Sequence, residues 1–438
     1  MRKKILLLAL IVAVLAYFAR YDEIDDAFIY ARYIANALSG LGMVFNAGEH
    51  VNALSSPFFG YMLLGLSWVL KGHVLLATKI LSATGLFGAC VLAERMVPYA
   101  GFLVASTGYF YSLVGMETSV FLFLLLLVVF LYQEKHYEWM PTALVLLTLT
   151  RFEGGILGVI IVYRLWRAHT WPTWKALVPA TLIGVGYLLL NYHWYGQLLP
   201  SSAGAKFGQG LSGYWGKWPW AYFDGLYQLK HDFVPTLYVV PLVVFFGILG
   251  FRKMRSSFNE LVPVFCALLL SFYILFNLPG YRWYSAPLIF FAMIYAARGL
   301  PKGRATLPVF VAIAVLMIAT NAYNFPRSND GSYYVKLGHW IDENTPTNAR
   351  IEADETGTIG WYSHRYLIDI LGLTTPKNAI HIAHRDPSSW LAEDKPDYII
   401  VHDSDWIYER VAKTSPDYER VSLDLPVVYV LKRKTGGN

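Results

Sequence analysis

The sequence predicts an α-helical protein that crosses a membrane many times and ends in a small soluble α/β domain. Three observations carry that prediction. Of the 438 residues, 56% are hydrophobic, 16% aromatic and only 15% charged, where soluble domains carry roughly 25% charged residues. The apolar residues gather into runs of bilayer-crossing length. After Thr320 the pattern breaks into charged sequence with short β-like runs.

The runs that could cross are 5–19, 75–95, 98–114, 118–132, 140–167, 174–192, 234–250, 258–277, 283–297 and 305–320. Run 140–167 is too long for one span, and Thr150, Arg151, Phe152, Glu153, Gly154 and Gly155 interrupt it, so two helices with a polar elbow are expected. MRKK at the start resembles a secretory leader, but Tyr17-Phe18-Ala19-Arg20 is a poor cleavage site, so the first run reads as an uncleaved anchor. Segment 56–71 is apolar but short and aromatic, as interfacial helices are. With that segment in the membrane plane and MRKK cytoplasmic, eleven crossings put AERM, QEKHYEW, RLWRAHTWPTWK, FRKMR and ARGLPKGR all inside, as the positive-inside rule requires. The net charge of +6 is therefore topology signal, and no nucleic-acid partner is expected. Cys90 and Cys266 fall in apolar runs and read as small hydrophobes.

This topology collects polar groups on the outer side: the loop 20–74, Gly115–Thr118, the Arg151–Glu153 elbow, His193–Lys206 and Pro279–Ser285. A site opening outward is expected, in a membrane domain spanning 1–320. Residues 321–438 form the soluble domain, where RIEADE, YLIDILGL, DYIIVHDS and VVYVLKR suggest a small sheet with covering helices.

The stretch from Asp22 to Pro57 holds the densest chemistry. A carboxylate beside a bilayer must be solvated, paired or lining a cavity; Asp22, Asp25 and Asp26 suit either a site or the N-terminus of the helix that follows. On that helix Asp25, Ile29, Arg32 and Asn36 share one face, and Asp26, Tyr30, Tyr33 and Ala37 the next. Asp25 or Asp26 could act as a general base, with Arg32 and Tyr33 holding substrate, or the faces could carry ordinary surface pairs. Glu117 reads as a cap or an active carboxylate, and Arg151 and Glu153 as a mutual pair or as part of the site. Lys206 could bind a lipid phosphate or snorkel; Arg282, among aromatics, could line a sugar or isoprenoid cavity. His50, His193, His364, His381, His384 and His402 show no metal-ligand spacing. GxxxxGK[ST] does not occur, so a nucleotide-driven motor has no support.

Several motifs, in order, resemble one family. DDAFIYARYIANALSGLGMVFNAGE is similar to the first outer loop of bacterial GT-C glycosyltransferases, which include protein O-mannosyltransferases, lipid A aminoarabinose transferases and mycobacterial terminal β-arabinofuranosyltransferases. GMET (Gly115–Thr118), TRFEG (Thr150–Gly154) and YGQLLPSSAGAK (Tyr195–Lys206) follow as in the arabinofuranosyltransferase branch, and HWIDENTP and GTIGWYSHRYLIDILGLT resemble its extracytoplasmic domain. The resemblance implies a GT-C fold and transfer of a sugar, such as a pentofuranose, from a polyprenyl-phosphate donor to a hydroxyl of a glycan, lipid or protein on the outer face of the cytoplasmic membrane, with inversion. It further implies Asp25 as base with Asp26 beside it, Glu117 as a second acid, and Lys206 and Arg282 at the lipid phosphate; Arg151, Glu153 and Tyr195 join the substrate-binding candidates through their motifs. The donor carries its own activation, so no ATP is needed. Some members of the superfamily use a divalent cation and others none, and the sequence leaves that open. VNALSSP departs from the family's Glu-Gly-aromatic-Thr-Ser/Asn-Pro.

Two other readings compete. A transporter or flippase for lipid-linked glycan should show two related halves with paired broken helices and charge near the bilayer midplane; the sequence shows neither. A non-catalytic envelope scaffold would tolerate loss of Asp25 and Asp26.

Overall fold

The computed structural model describes residues 2–21, 24–228, 239–324, 332–423 and 425–434. Asp22, with its expected capping role, the start of run 234–250 and the end of the KRKTGGN tail lie outside the described residues.

Most apolar runs form helices where expected: Arg2–Phe18, Val74–Met96, Thr118–Gln133, Trp174–Tyr195, Val240–Lys253, Ser256–Leu275, Arg282–Gly299 and Thr306–Asn324. Run 140–167 splits into Met140–Thr150 and Gly154–Arg167 around the Arg151–Glu153 elbow. Run 98–114 departs from expectation. It forms the seven-residue helix Ala100–Ser106 and a 3-10 turn, Gly108–Leu113. Thr107 between them is extended, with its hydroxyl turned back onto the Leu103 carbonyl. Both pieces are almost wholly buried in protein, where irregular backbone at membrane depth is tolerated.

Four helical stretches among the described residues combine the length and apolarity to cross a membrane: Arg2–Tyr21, Val74–Met96, Trp174–Tyr195 and Ser256–Leu275. The eleven-crossing count therefore rests on loop charge and not on helix length. Segment 56–71 forms the helix Pro57–Val69, whose 13 residues extend about 20 Å, short of the roughly 30 Å hydrocarbon core.

Helices Val240–Lys253 and Arg282–Gly299 cross at backbone contact. A Cβ on Gly250 would lie 1.8 Å from the Tyr295 carbonyl oxygen, and one on Gly299 1.8 Å from that of Phe246. Small residues at such a crossing let dispersion contacts accumulate where lipid supplies no hydrophobic drive. Gly299→Leu is expected to push the helices apart at a cost of about 1–3 kcal/mol, read as a lower unfolding midpoint in detergent. Gly247→Leu, on the same helix as Gly250 but facing open space, should leave the midpoint unchanged.

Among the described residues the C-terminal part carries the helix Tyr333–Asn344 and five strands: β1 (Arg350–Ala353), β2 (Tyr366–Asp369), β3 (Tyr398–His402), β4 (Tyr418–Arg420) and β5 (Val428–Arg433). Their order is β2-β1-β3-β5-β4. β1 runs parallel to β2 and β3, while β5 is antiparallel to β3 and β4. Every residue of central β3 is buried, as a strand covered on both faces requires. The crossover from β1 to β2 is the helix Thr356–Ser363, and this helix meets the membrane part.

Candidate functional site

The helix Asp25–Leu38 lies along Thr356–Ser363 and grips both of its ends. Asp25 accepts hydrogen bonds from the Gly357 and Thr358 amides at 2.9 and 2.6 Å. Seven residues on, along the same face, the Arg32 guanidinium donates to the Gly360 and Arg365 carbonyls at 2.7 and 2.6 Å, and also to Phe45 and Asn46. A carboxylate at the amino end and a cation at the carboxyl end both suit the dipole of the gripped helix. Gly357 permits the approach, since a Cβ there would lie 2.0 Å from the Asp25 carbonyl oxygen. The Asp25/Arg32 face of the sequence is thus a docking face.

Two cavities lie beside the amino end of the helix Asp25–Leu38. The first, of about 380 Å³, is lined by Asp26, Glu117, Arg151, Glu153 and Lys206 at its polar end and by apolar side chains such as Leu199, Phe207 and Phe272 elsewhere. The second, of about 450 Å³, lies between the membrane part and the C-terminal part; Asp25, Asp26, Lys206, Arg282, Asp354 and Glu355 are among its lining residues. Asp26 and Lys206 line both. The Lys206 ammonium rests over the rings of Tyr281 and Trp283, 4.1 and 5.9 Å from their centroids.

The polar end of the first cavity is built from two of the sequence motifs. Arg151, at the end of Met140–Thr150, donates to Glu117 at 3.0 Å and to Glu153 at 2.9 Å, and the Tyr273 hydroxyl donates to Glu153 at 3.2 Å. Glu117 stands at the head of Thr118–Gln133 without capping it through its side chain. It is 2% exposed, and its Oε2 has no hydrogen-bond partner among the described residues. A buried guanidinium between two carboxylates leaves one acceptor oxygen over at a cavity wall.

Tyr33 and Tyr195, two of the expected substrate contacts, are used elsewhere. The Tyr33 hydroxyl donates to the Val51 carbonyl and accepts from the Ala53 amide, and the Tyr195 hydroxyl donates to the Met43 carbonyl. Neither side chain lines the two cavities, and nor does Arg32. All three hold the loop 39–56 and the docked helix in place. Within that loop Asn52, part of the departure VNALSSP, donates to Asn191 at 2.6 Å and receives Ser201 on its carbonyl; Ser55 lines the first cavity.

The second cavity is crowded with carboxyls. Burial pushes the Asp25 carboxyl up to about 6, against the pull of the Thr358 amide and with a contribution from Asp26. Burial likewise lifts Asp26, with Lys206 and Arg151 opposing. Asp354 rises to about 7 through burial, with His402 opposing, and Glu355 well above its ordinary range through burial, then Asp25 and Asp354. A carboxyl raised in the folded state holds its proton where the unfolded chain has lost it, so the stability it contributes is lost as pH rises through that window. The unfolding midpoint should therefore fall as pH rises from about 5 towards 8; Glu355→Gln should flatten the slope, as thermal scans across that range would read.

Asp354, His402 and Glu409 bring one ligand atom each within 4.8 Å of one another, a grouping that sequence spacing missed because Asp354 follows β1 while His402 ends β3. As it stands the histidine is fully hydrogen-bonded, through Nδ1 to Glu409 at 2.7 Å and through Nε2 to Tyr334 at 2.6 Å. A cation would have to displace one of these partners. Gln209, on the helix Ser201–Ser212, and Asp354 and Glu355, after β1, also line the second cavity and were not expected from the sequence: polar residues carry no signal of a site until the fold turns them inward.

Residues 321–434 match a family described as a domain of unknown function (DUF8728). No curated protein matches the chain. Among solved structures, ArnT from Cupriavidus metallidurans bound to undecaprenyl phosphate superposes with a TM-score of 0.63 at 11% identity, over 97% of each chain. Arabinofuranosyltransferase AftD from Mycobacteria gives 0.51 at 13% identity, over all of this chain and 40% of that one. The oligosaccharyltransferase of Archaeoglobus fulgidus, in complex with Zn and sulfate, gives 0.50 at 12%, over 90% and 68%. The chain has the GT-C fold these proteins share.

Proposed function

We propose that this protein is a membrane glycosyltransferase that moves a monosaccharide from a polyprenyl-phosphate donor to an acceptor hydroxyl of an envelope glycan, lipid or protein on the outer side of the cytoplasmic membrane. The observation that carries the reading is the shared wall of the two cavities: one carboxylate, Asp26, and one ammonium, Lys206, face both. An apolar cavity with a charged end suits an isoprenoid phosphate, and a carboxyl-rich cavity beside it suits a polyhydroxylated acceptor. The ArnT structure that superposes on this chain is bound to undecaprenyl phosphate, which supports a lipid-linked donor.

Asp26 then takes the proton of the acceptor hydroxyl as its oxygen attacks the anomeric carbon. The bond from that carbon to the phosphate oxygen breaks, and polyprenyl phosphate leaves with its charge held by Lys206 and Arg282. Displacement from the face opposite the phosphate inverts the anomeric centre. Asp25 has both oxygens occupied by backbone amides, so its role is to dock the C-terminal part over the site. Glu117 and Glu153 hold Arg151 and close the polar end. The test is donor binding and turnover: Lys206→Ala should weaken polyprenyl-phosphate binding by about tenfold or more, the loss of one charge-assisted contact. Unchanged binding and turnover in a folded Lys206→Ala variant would refute the assignment.

A further inference from the structure

A third cavity lies at the opposite end of the bundle from the candidate site. The helices Thr118–Gln133, Ser256–Leu275 and Arg282–Gly299 each reach the first cavity at one end, through Glu117, Phe272 and Tyr284. At the other end they enclose a space of about 220 Å³ with Gln133, Phe258 and Arg298, joined by Arg95 from the end of Val74–Met96 and by Arg255. Its floor is apolar: Phe258 is 1% and Val97 4% exposed.

Three guanidinia face this space and only one is neutralised. Arg255 pairs with Glu134 at 2.8 Å. Arg298 donates its Nε to the Lys253 carbonyl at 2.9 Å, and Arg95 lies over the Phe130 ring, 5.0 Å from its centroid. Among the described residues no carboxylate pairs with either. The neighbouring carboxylate that could serve Arg95, Glu94, is held at 2.6 Å by Lys4. Two uncompensated cations on different helices, over an apolar floor at the ends of membrane helices, form a receptor for an anion that carries its own hydrocarbon.

We infer that this cavity binds the phosphodiester headgroup of an anionic phospholipid, with Arg95 and Arg298 on the phosphate and an acyl chain along Phe130 and the helix ends. Basic recesses between membrane helices recognise such headgroups through charge added to the surface potential of the leaflet. The inference is independent of the chemistry at the other end of the bundle.

The test uses the full chain in phosphatidylcholine nanodiscs titrated with phosphatidylglycerol, following the unfolding midpoint against lipid fraction. Phosphatidylglycerol should raise the wild-type midpoint, and Arg95→Gln/Arg298→Gln should weaken the apparent affinity roughly thirtyfold, the equivalent of about 2 kcal/mol. Arg95→Lys/Arg298→Lys should retain most of the response, and Arg304→Gln, which removes a cation outside the cavity, all of it. The inference fails if the Gln pair responds as the wild type does. It fails equally if Arg304→Gln loses as much as the pair, which would mean general surface charge, or if soluble glycerophosphoglycerol reproduces the whole shift, which would mean a free phosphate ester.

Discussion

Asp26→Asn should reduce the turnover of sugar transfer by about 10²–10⁴-fold, the range that a positioned general base supplies, while donor binding stays near the wild-type value. The amide keeps the shape of the side chain and removes its basicity. Asp25→Asn makes the contrast. Asp25 is bound through both oxygens to the amino end of Thr356–Ser363, so its amide keeps one acceptor and loses the other. That variant should lower the unfolding midpoint and cost turnover far less than Asp26→Asn. Steady-state kinetics and thermal unfolding on the two purified variants separate the roles, because a base lost at fixed stability and a dock loosened at modest kinetic cost have opposite signatures. The reverse pattern, with Asp25→Asn inactive and Asp26→Asn active, would return the base to Asp25.

Arg151→Met should destabilise the fold more than any other single substitution at the site, by about 3–5 kcal/mol, the cost of stranding buried charge. Its side chain is 8% exposed and lies between Glu117 at 3% and Glu153 at 14%. Removing the cation leaves two carboxylates with each other and the Tyr273 hydroxyl. The triple variant Glu117→Gln/Arg151→Met/Glu153→Gln should recover much of the loss, because the neutral set carries no unpaired charge. Denaturant unfolding of both in detergent measures the difference. Equal stability of wild type and Arg151→Met would show that water reaches the three groups.

Much of this architecture was legible in the sequence because the bilayer forces apolar residues into runs and charge into loops. The elbow at Arg151–Glu153 announced itself as charge inside an apolar run, and GMET and TRFEG, 34 residues apart at Glu117 and Arg151, both marked helix ends. The break at Thr107 was not legible: run 98–114 is apolar because it is buried in protein, and composition does not distinguish protein from lipid. The face of Asp25–Leu38 was legible as a face, with Asp25 and Arg32 aligned. What it meets was not, because the partner helix Thr356–Ser363 lies more than 300 residues downstream. Arg32, Tyr33 and Tyr195 illustrate the same limit: polar residues in an outer loop look alike whether they hold substrate or the loop itself. Asp354 and Glu355 became visible only when the crossover after β1 turned them into the second cavity.

The central claim is chemical transfer, and a doubly labelled donor in proteoliposomes tests it most directly. A polyprenyl-phosphate sugar carrying one label in the sugar and another in the lipid is supplied with envelope acceptor. The account predicts that the labels part: sugar label passes to acceptor, lipid label is recovered as polyprenyl phosphate in equal amount, and both events are lost with Asp26→Asn. Labels that stay together on one molecule and cross the bilayer as a unit would contradict it, and would make the protein a carrier of lipid-linked sugar.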